Sequence, residues 1–241
     1  MSGSSAWAGD SSASTAYASA TYSIPDVFLD GPGDVTVPVT ITYVKTPPDA
    51  SLVDLAVELS ATSPGVVDEL QVYEMSGTGT PARGALRDEA AFDGYGSGDR
   101  TSVFTVSGEL NTLYLGSGPN DRLMDVTVPF PPGTFTITRS RTVLSNVRVR
   151  RDGRYVLPTR ITAKIMAVNS KGQRIPVDGD VVIYARKPAT DTWVKLTAAG
   201  TLDDYGKLTA AYSTLPARTK IRVAVVDCGW CTNAMVQVTL R

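Results

Sequence analysis

The stretch VTVPVTITY (residues 35–43) alternates between two kinds of side chain. Valine, isoleucine and tyrosine stand at the odd positions, while threonine and proline stand at the even positions. A period of two is typical of a β-strand that buries one face and exposes the other to water. Because proline has no N–H to donate, Pro38 predicts that this strand lies at a sheet edge or carries a bulge.

The same alternation recurs along the chain, and Gly, Pro or Asp-rich turns separate the runs. Many short strands joined by turns predict an all-β fold of antiparallel sandwiches. The long polar connection 75–100 is an exception, and within it 86–92 is the one segment where we expect a helical turn. The predicted strands lie at 35–43, 53–59, 70–74, 102–106, 112–115, 124–130, 135–137, 143–149, 161–167, 181–185, 208–212, 221–225 and 236–240.

The charge of the chain is divided into two halves. Residues 1–138 hold five Lys and Arg against seventeen Asp and Glu, a net of −12, and residues 139–241 hold eighteen against seven, a net of +11. The division predicts a domain boundary near Arg139 and opposite fields that steer partners or copies of the chain. We therefore expect a flexible Ser/Ala-rich tail at 1–21, an acidic sandwich at 22–138 and a basic sandwich at 141–241.

Four segments of the back half carry a family resemblance: the strand ITAKIMAV (161–168), NSKGQRIPVDGDVVIYAR (169–186), TWVKLTAAGTLDDYGKLTAAY (192–212) and TKIRVAVV (219–226). With them, residues 145–241 resemble the bacterial Ig-like domains of secreted and surface proteins. The resemblance implies an Ig-like antiparallel β-sandwich for the back half and a location outside the cell or on its surface. Because the front half has the same strand pattern with longer loops, we expect two Ig-like antiparallel β-sandwich domains in tandem. The resemblance implies no particular activity, because function lies in sites and not in this fold.

The segment Cys228-Gly229-Trp230-Cys231 falls where the resemblance puts the loop between the last two strands. A disulfide staple, free thiols and a redox pair are the open interpretations. We favour the disulfide, because redox chemistry needs a strand-to-helix setting and zinc needs further Cys or His ligands that the sequence lacks. Trp230 is then a candidate binding anchor, or it folds back over the end of the sandwich. For Trp193 we expect a place in the core.

Six arginines lie within sixteen residues and form a predicted basic strip. Arg148 and Arg150 share a strand face, since residues two apart point the same way. The strip suits an anionic polymer or a protein partner, a neighbouring copy included, because Arg binds oxyanions through two hydrogen bonds. An interdomain seam and a solvated surface are the alternatives, and nucleic acid is disfavoured because no aromatic residues interleave. The strip comprises Arg139, Arg141, Arg148, Arg150, Arg151 and Arg154.

Acidic residues gather in the glycine-rich stretch 88–99, at Asp88, Glu89, Asp93 and Asp99. Calcium takes oxygen ligands of this kind, but the spacing does not fit an EF-hand, so a solvated loop is the default interpretation. The sequence has no histidine, which removes the usual general base and the commonest zinc ligand. No apolar run approaches the roughly 20 residues of a membrane-spanning helix.

From these observations we expect a non-enzymatic protein without a cofactor. Its function would be binding or adhesion, or self-assembly of acidic on basic domains, through charged faces and loops. A virion or appendage structural protein is one alternative. An accessory domain pair that binds an anionic cell-wall polymer or glycan is another. The expected binding residues are Arg148, Arg150, Arg151, Arg154 and Trp230, and the expected disulfide joins Cys228 to Cys231.

Overall fold

The computed structural model confirms the all-β fold. It describes residues 9–32, 35–46, 53–64, 70–76, 81–92, 100–114, 124–151, 159–196, 199–213 and 215–240. Strands hold 71% of the residues in these ranges, and the ranges contain no helix. The chain divides into two compact units: unit 1 comprises 1–27, 34–93 and 101–138, and unit 2 comprises 28–33, 94–100 and 139–241.

In the described residues, ten strands begin before the main division at residue 138. They are β1 (Ser11–Ser14), β2 (Ala18–Ser23), β3 (Val27–Leu29), β4 (Val35–Lys45), β5 (Val53–Thr62), β6 (Leu70–Ser76), β7 (Arg83–Phe92), β8 (Thr101–Tyr114), β9 (Met124–Pro129) and β10 (Gly133–Arg139). One sheet has the order β1-β2-β4-β7, and the second has the order β3-β10-β8-β5-β6, with β9 also paired to β8. The pairs whose register is given are antiparallel.

The core of unit 1 follows from the alternation in the sequence. Val37, Val39 and Ile41 are buried on β4, and every second residue of β5 from Val53 to Ala61 is buried in the same way. Strands β8 and β10 add Phe104 and Phe135, whose rings stack with centroids 5.2 Å apart. Burial of these apolar side chains is the main stabilising contribution to such a unit.

Nine strands follow the main division in the part of the chain that the structure describes. They are β11 (Arg141–Arg151), β12 (Thr159–Val168), β13 (Arg174–Pro176), β14 (Asp180–Arg186), β15 (Val194–Lys195), β16 (Ala199–Leu202), β17 (Lys207–Tyr212), β18 (Lys220–Val226) and β19 (Ala234–Thr239). One sheet has the order β11-β12-β17-β16, with β13 also paired to β12, and the other has the order β15-β14-β18-β19. Each sheet buries one face: Ile161, Ile165 and Leu208 lie on the first, and Ile183, Ile221 and Val223 lie on the second.

Part of the expected flexible tail at 1–21 is β-structure, because β1 and most of β2 lie within it, and residues 1–8 lie outside the described residues. Strands β1 and β2 pair with each other, and β2 also pairs with β4. Their inward positions are small, with Ala13, Ala18 and Ala20 buried. Alanine alternating with serine and threonine gives little hydrophobic contrast, so the period of two was not recognised in the sequence.

The expected helical turn at 86–92 is wrong. The segment is part of β7, which pairs with β4 from Val35↔Phe92 to Val44↔Arg83. The two short runs predicted at 102–106 and 112–115 are one strand, β8.

Pro38 lies on an internal strand, not on an edge strand. The pairing of β4 with β2 ends at Thr40, however, so Pro38 has a paired neighbour only on the β7 side. A missing N–H is tolerated there because the position is locally an edge.

Candidate functional site

Cationic side chains are concentrated on the outer face of the first sheet of unit 2. Arg141 and Arg174, both paired with Val168, point to this side, and we call a set of five other cations on it the basic face. In the strand register, Arg150 is opposite Arg160, Arg148 is opposite Thr162, and Lys164 is opposite Lys207. Directly paired residues of an antiparallel ladder point to the same side of the sheet. The intervening residues Ile161, Ala163 and Ile165 are buried, so the five cations point to the other side, away from the core. The basic face comprises Arg148, Arg150, Arg160, Lys164 and Lys207.

A β-bulge decides which arginines reach the basic face. The register of β11 against β12 shifts by one residue between Ser145 and Arg148, and Asn146 within the shift has a positive φ of 54°. An extra residue reverses the alternation of a strand. Before the bulge the odd-numbered residues face outward, whereas after it Arg148 and Arg150 do so. Without Asn146 both arginines would point toward the core.

The basic face brings like charges together. Arg150 opposes Arg160 across β11 and β12, and Lys164 opposes Lys207 across β12 and β17. Like charges placed directly opposite on a sheet destabilise it by up to about 1 kcal/mol per pair. A cluster of like charges also creates a positive field that attracts anions.

A shallow groove of about 470 Å³ crosses the basic face. Arg148, Lys164 and Lys207 line it, together with the exposed Tyr205 and with Asp203. The Lys164 ammonium group donates a hydrogen bond to the Tyr205 carbonyl oxygen. The groove therefore combines three cations with a phenol ring that is 76% exposed.

The turn between β16 and β17 holds Tyr205 in this position. Asp203 Oδ1 accepts hydrogen bonds from the backbone N–H groups of Tyr205 (3.0 Å) and Lys207 (2.8 Å). Gly206 has a φ of 73°, and a Cβ there would lie 2.3 Å from the Ile165 carbonyl oxygen. Only glycine satisfies both conditions. Asp203 is the single carboxylate among the groove's described lining residues, so three cations still outnumber one anion there.

The predicted basic strip is only partly on this face. Arg148 and Arg150 are exposed there, but Arg139 is only 2% exposed, and its Nε donates to the Gly229 carbonyl oxygen at 3.2 Å. Arg154 lies outside the described residues, and of Arg151 the structure describes only the pairing with Thr159. Arg160, Lys164, Lys207 and Tyr205 were missed. For Arg160 and Lys164, their outward phase in the alternation of β12 was the available signal.

The Cys228–Cys231 disulfide is present, with the two Cα atoms 5.2 Å apart. It lies between β18 and β19, as expected. Trp230 does not act as an exposed anchor, because its side chain is only 4% exposed. Its Nε1 donates to Asp178 Oδ1 at 2.5 Å. The buried indole agrees with the alternative interpretation of Trp230, in which the ring folds back over the protein.

Trp193 is not a core residue. It is partly exposed beside the edge strand β15, and two arginine side chains lie over its ring. A bulky aromatic residue in an alternating segment predicts a buried position. The alternation does not show, however, whether another sheet packs on the face where that residue lies.

The acidic stretch 88–99 does not form one cluster in the part of the chain that the structure describes. Asp88 and Glu89 are consecutive on β7, where Asp88 pairs with Val39 and Glu89 with Pro38, so they point to opposite faces. Asp93 and Asp99 lie outside the described residues. Among the described residues there is no group of three or more His, Cys, Asp or Glu side chains that could hold a metal ion.

Unit 1 has an acidic groove of its own, with a volume of about 690 Å³. Glu58 and Glu109 line it and are directly opposite each other on β5 and β8. Tyr73, which is 59% exposed, lines the same groove and is paired with Glu58. This groove has the opposite charge to the groove on the basic face.

Two further observations bear on the chain as a whole. No helix in the described ranges is long and apolar enough to cross a membrane. No protein-family model matches the sequence, and no curated protein matches it either.

Proposed function

We propose that the protein is a non-enzymatic binding module whose basic face holds an anionic polymer or an acidic surface. The observation that carries the proposal is the direct opposition of Lys164 to Lys207 and of Arg150 to Arg160. An anion that bridges each pair converts repulsion into attraction. The free energy of binding is then gained at the same residues whose mutual repulsion lowers the stability of the folded state.

The chemistry of the groove agrees with a polymer that carries carboxylate, phosphate or sulfate groups. The guanidinium of Arg148 offers two parallel donors to such an oxyanion. Lys164 and Lys207 add point charges, while Thr162 and Tyr205 supply neutral hydroxyl groups. These strong cations and hydroxyls suit recognition, and with no histidine in the sequence the usual general base is missing.

An extracellular or cell-surface location is part of the proposal. The Cys228–Cys231 disulfide supports it, because disulfides persist in oxidising compartments and are rare in the cytosol. Acidic polymers of a cell envelope or of an extracellular matrix are abundant in the same places.

Binding to a polyanion at several salt concentrations tests the proposal. We expect the affinity of the wild-type protein to fall as salt screens the contact. The double variant Arg148→Gln/Arg150→Gln should bind at least about tenfold more weakly, since two charge-assisted contacts are lost. Arg83→Gln/Arg218→Gln removes two exposed arginines that lie outside the sheet of the basic face, and it is the matched control. Equal affinities for the two double variants would reject the proposal.

A second candidate function is self-assembly, in which the basic face of one copy meets the acidic groove of another. Glu58 opposite Glu109 favours it, because this pair mirrors the Lys164–Lys207 pair with the opposite sign. Such a head-to-tail contact does not close on itself and builds chains. Sedimentation at 0.05 and 0.5 M salt tests it: association should occur at low salt and disappear at high salt. A protein that stays monomeric at low salt would exclude this function, whereas ordered assemblies in electron micrographs would favour a structural role.

A further inference from the structure

Trp193 forms a stack with two arginines on the outer face of the second sheet of unit 2. The guanidinium carbon of Arg222 lies 3.9 Å from the centroid of the Trp193 ring, and that of Arg186 lies 5.4 Å from it. We call Trp193, Arg186, Arg222 and the neighbouring Lys220 the stacked site. Its strands, β14 and β18, are in the other sheet from the basic face.

The stack holds Arg222 in one orientation. Its guanidinium carbon lies over the indole ring, and its Nε donates to Gln237 Oε1 at 3.2 Å. Within the described part of the chain, neither Nη atom of Arg222 has a hydrogen-bond partner. A guanidinium that is already oriented loses less conformational entropy when it binds a ligand. Its two Nη groups are available for a planar oxyanion.

The surrounding charges favour an anion. Lys220 is directly opposite Arg186, and it is two residues from Arg222 on β18, so all three cations share one face. The one ion pair found at the site joins Arg186 Nη1 to Asp191 Oδ1 at 3.7 Å, and the Asp191 side chain is fully exposed. An exposed pair of this kind contributes little and is easily exchanged for another anion.

We propose that the stacked site binds the carboxylate groups of an acidic polysaccharide. Neutral hydrogen-bonding residues alternate with the cations on the same face: Tyr184 and Gln237 flank Arg222, and Thr239 lies beside Lys220. These phenol, amide and hydroxyl groups can each donate to and accept from sugar hydroxyls. An acidic polysaccharide would thus contact the protein at two places, the basic face and the stacked site, and this proposal rests on the proposed function.

Single-stranded nucleic acid fits this site less well. Bases bind by stacking on open aromatic faces, whereas here the indole of Trp193 is in contact with Arg222 and Arg186. The ring positions the arginines, so Trp193 is a positioning residue and not a platform for the ligand.

The test is a titration with polygalacturonate, with polyglutamate and oligothymidylate titrated in parallel. Arg222→Lys keeps the charge but loses the planar fork, and it should weaken polygalacturonate binding at least about fivefold while thermal unfolding stays unchanged. Trp193→Leu should weaken binding to a similar extent, whereas Trp193→Tyr, which retains a ring for the arginine to stack on, should stay within about twofold of wild type. Binding that is retained in Trp193→Tyr but weakened in Trp193→Leu shows that the ring acts by positioning the arginines and not through packing in general.

Three results would overturn the inference. The first is wild-type affinity in both Arg222→Lys and Trp193→Leu. The second is an equal effect of Trp193→Tyr and Trp193→Leu. The third is a loss of binding in Arg222→Lys that is confined to polyglutamate or oligothymidylate, which would reject the polysaccharide as ligand.

The basic-face variant Arg148→Gln/Arg150→Gln separates the two proposals. Weakened binding in both this variant and Arg222→Lys supports both. Weakened binding in Arg222→Lys alone supports the stacked site and rejects the proposed function of the basic face. Weakened binding in the basic-face variant alone rejects the stacked site and leaves the proposed function intact.

Discussion

The indole Nε1 of Trp230 donates to Asp178 Oδ1 at 2.5 Å, across 52 positions of sequence. The ring is buried, and the disulfide partners Cys228 and Cys231 flank it in sequence. Gly179 lies so close to this loop that a Cβ at that position would approach the Cβ of Cys228 to 2.9 Å. The segment before β14 and the loop after β18 therefore hold each other in place.

This relationship predicts how Trp230 contributes to stability. Trp230→Ala should lower the free energy of unfolding by about 3–5 kcal/mol, because a large buried side chain is lost. Trp230→Phe keeps most of the packing and loses the hydrogen bond, so it should lower the free energy of unfolding by about 1 kcal/mol. Denaturant unfolding measures both values. Trp193→Phe, at a partly exposed tryptophan, is the control and should cost less than Trp230→Ala.

Lys207 presents a trade-off between stability and binding. Lys207→Glu places a carboxylate opposite Lys164, which should stabilise the folded state by about 0.2–1 kcal/mol. The same change should weaken the binding of a polyanion, since one cation of the groove becomes an anion. Thermal unfolding and a polyanion titration measure the two effects on one sample.

Lys187→Glu makes the same charge change at an exposed position away from the basic face, and it should alter binding less. A Lys207→Glu protein that binds the polyanion as tightly as wild type would contradict the role given to this groove.

Asn146 controls the direction of the arginines on β11. Asparagine tolerates the positive φ at this position, whereas a β-branched side chain does not. Asn146→Val should therefore lower the free energy of unfolding by about 1–2 kcal/mol. Asn146→Gly should stay within about 0.5 kcal/mol of wild type, because glycine adopts this conformation freely. Chemical unfolding distinguishes the two variants, and equal losses would argue against the bulge.

Glu74 makes the stability of unit 1 depend on pH. Burial raises the pKa of its carboxyl above the usual 4.5, and the nearby Asp88 raises it further. The folded state therefore holds this proton more tightly than the unfolded state, so stability declines as the pH rises from below 4.5 through the raised pKa.

Glu74→Gln removes this decline, so the variant should be more stable than wild type at pH 7. The difference should vanish at a pH well below 4.5, where both proteins are uncharged at this position. Unfolding curves at pH 3.5 and pH 7 provide the measurement. Glu89→Gln, at an exposed position of β7 opposite Pro38, controls for the loss of one negative charge. A Glu74→Gln protein that is less stable than wild type at pH 7 would contradict this prediction.

Strand positions with strong hydrophobic contrast were predicted correctly from the sequence. Val37, Val39 and Ile41 alternate with threonine and proline, and all three are buried on β4. The disulfide was also predicted, since the chain has only two cysteines and they are three positions apart. Where the contrast is weak the prediction was wrong, as at Ala18 and Ala20 of β2 and in the alanine-rich β7.

The functional site was predicted only in part, because it is assembled from three strands. Arg148 and Arg150 are neighbours in sequence and were recognised together. Lys164 and Lys207 lie 43 positions apart, and only the register of β12 and β17 places them opposite each other. The stacked site depends in the same way on the register of β14 and β18.

By itself, the order of residues determined the periodicity of the strands, the sign of the charge in each half and the pairing of the two cysteines, since each of these is a local or compositional property. Tertiary structure alone decided which charges become neighbours and which tryptophan is covered. The physical reason is that ladder register and sheet packing act between residues far apart in the chain. A single inserted residue such as Asn146 can reverse the face on which an arginine lies.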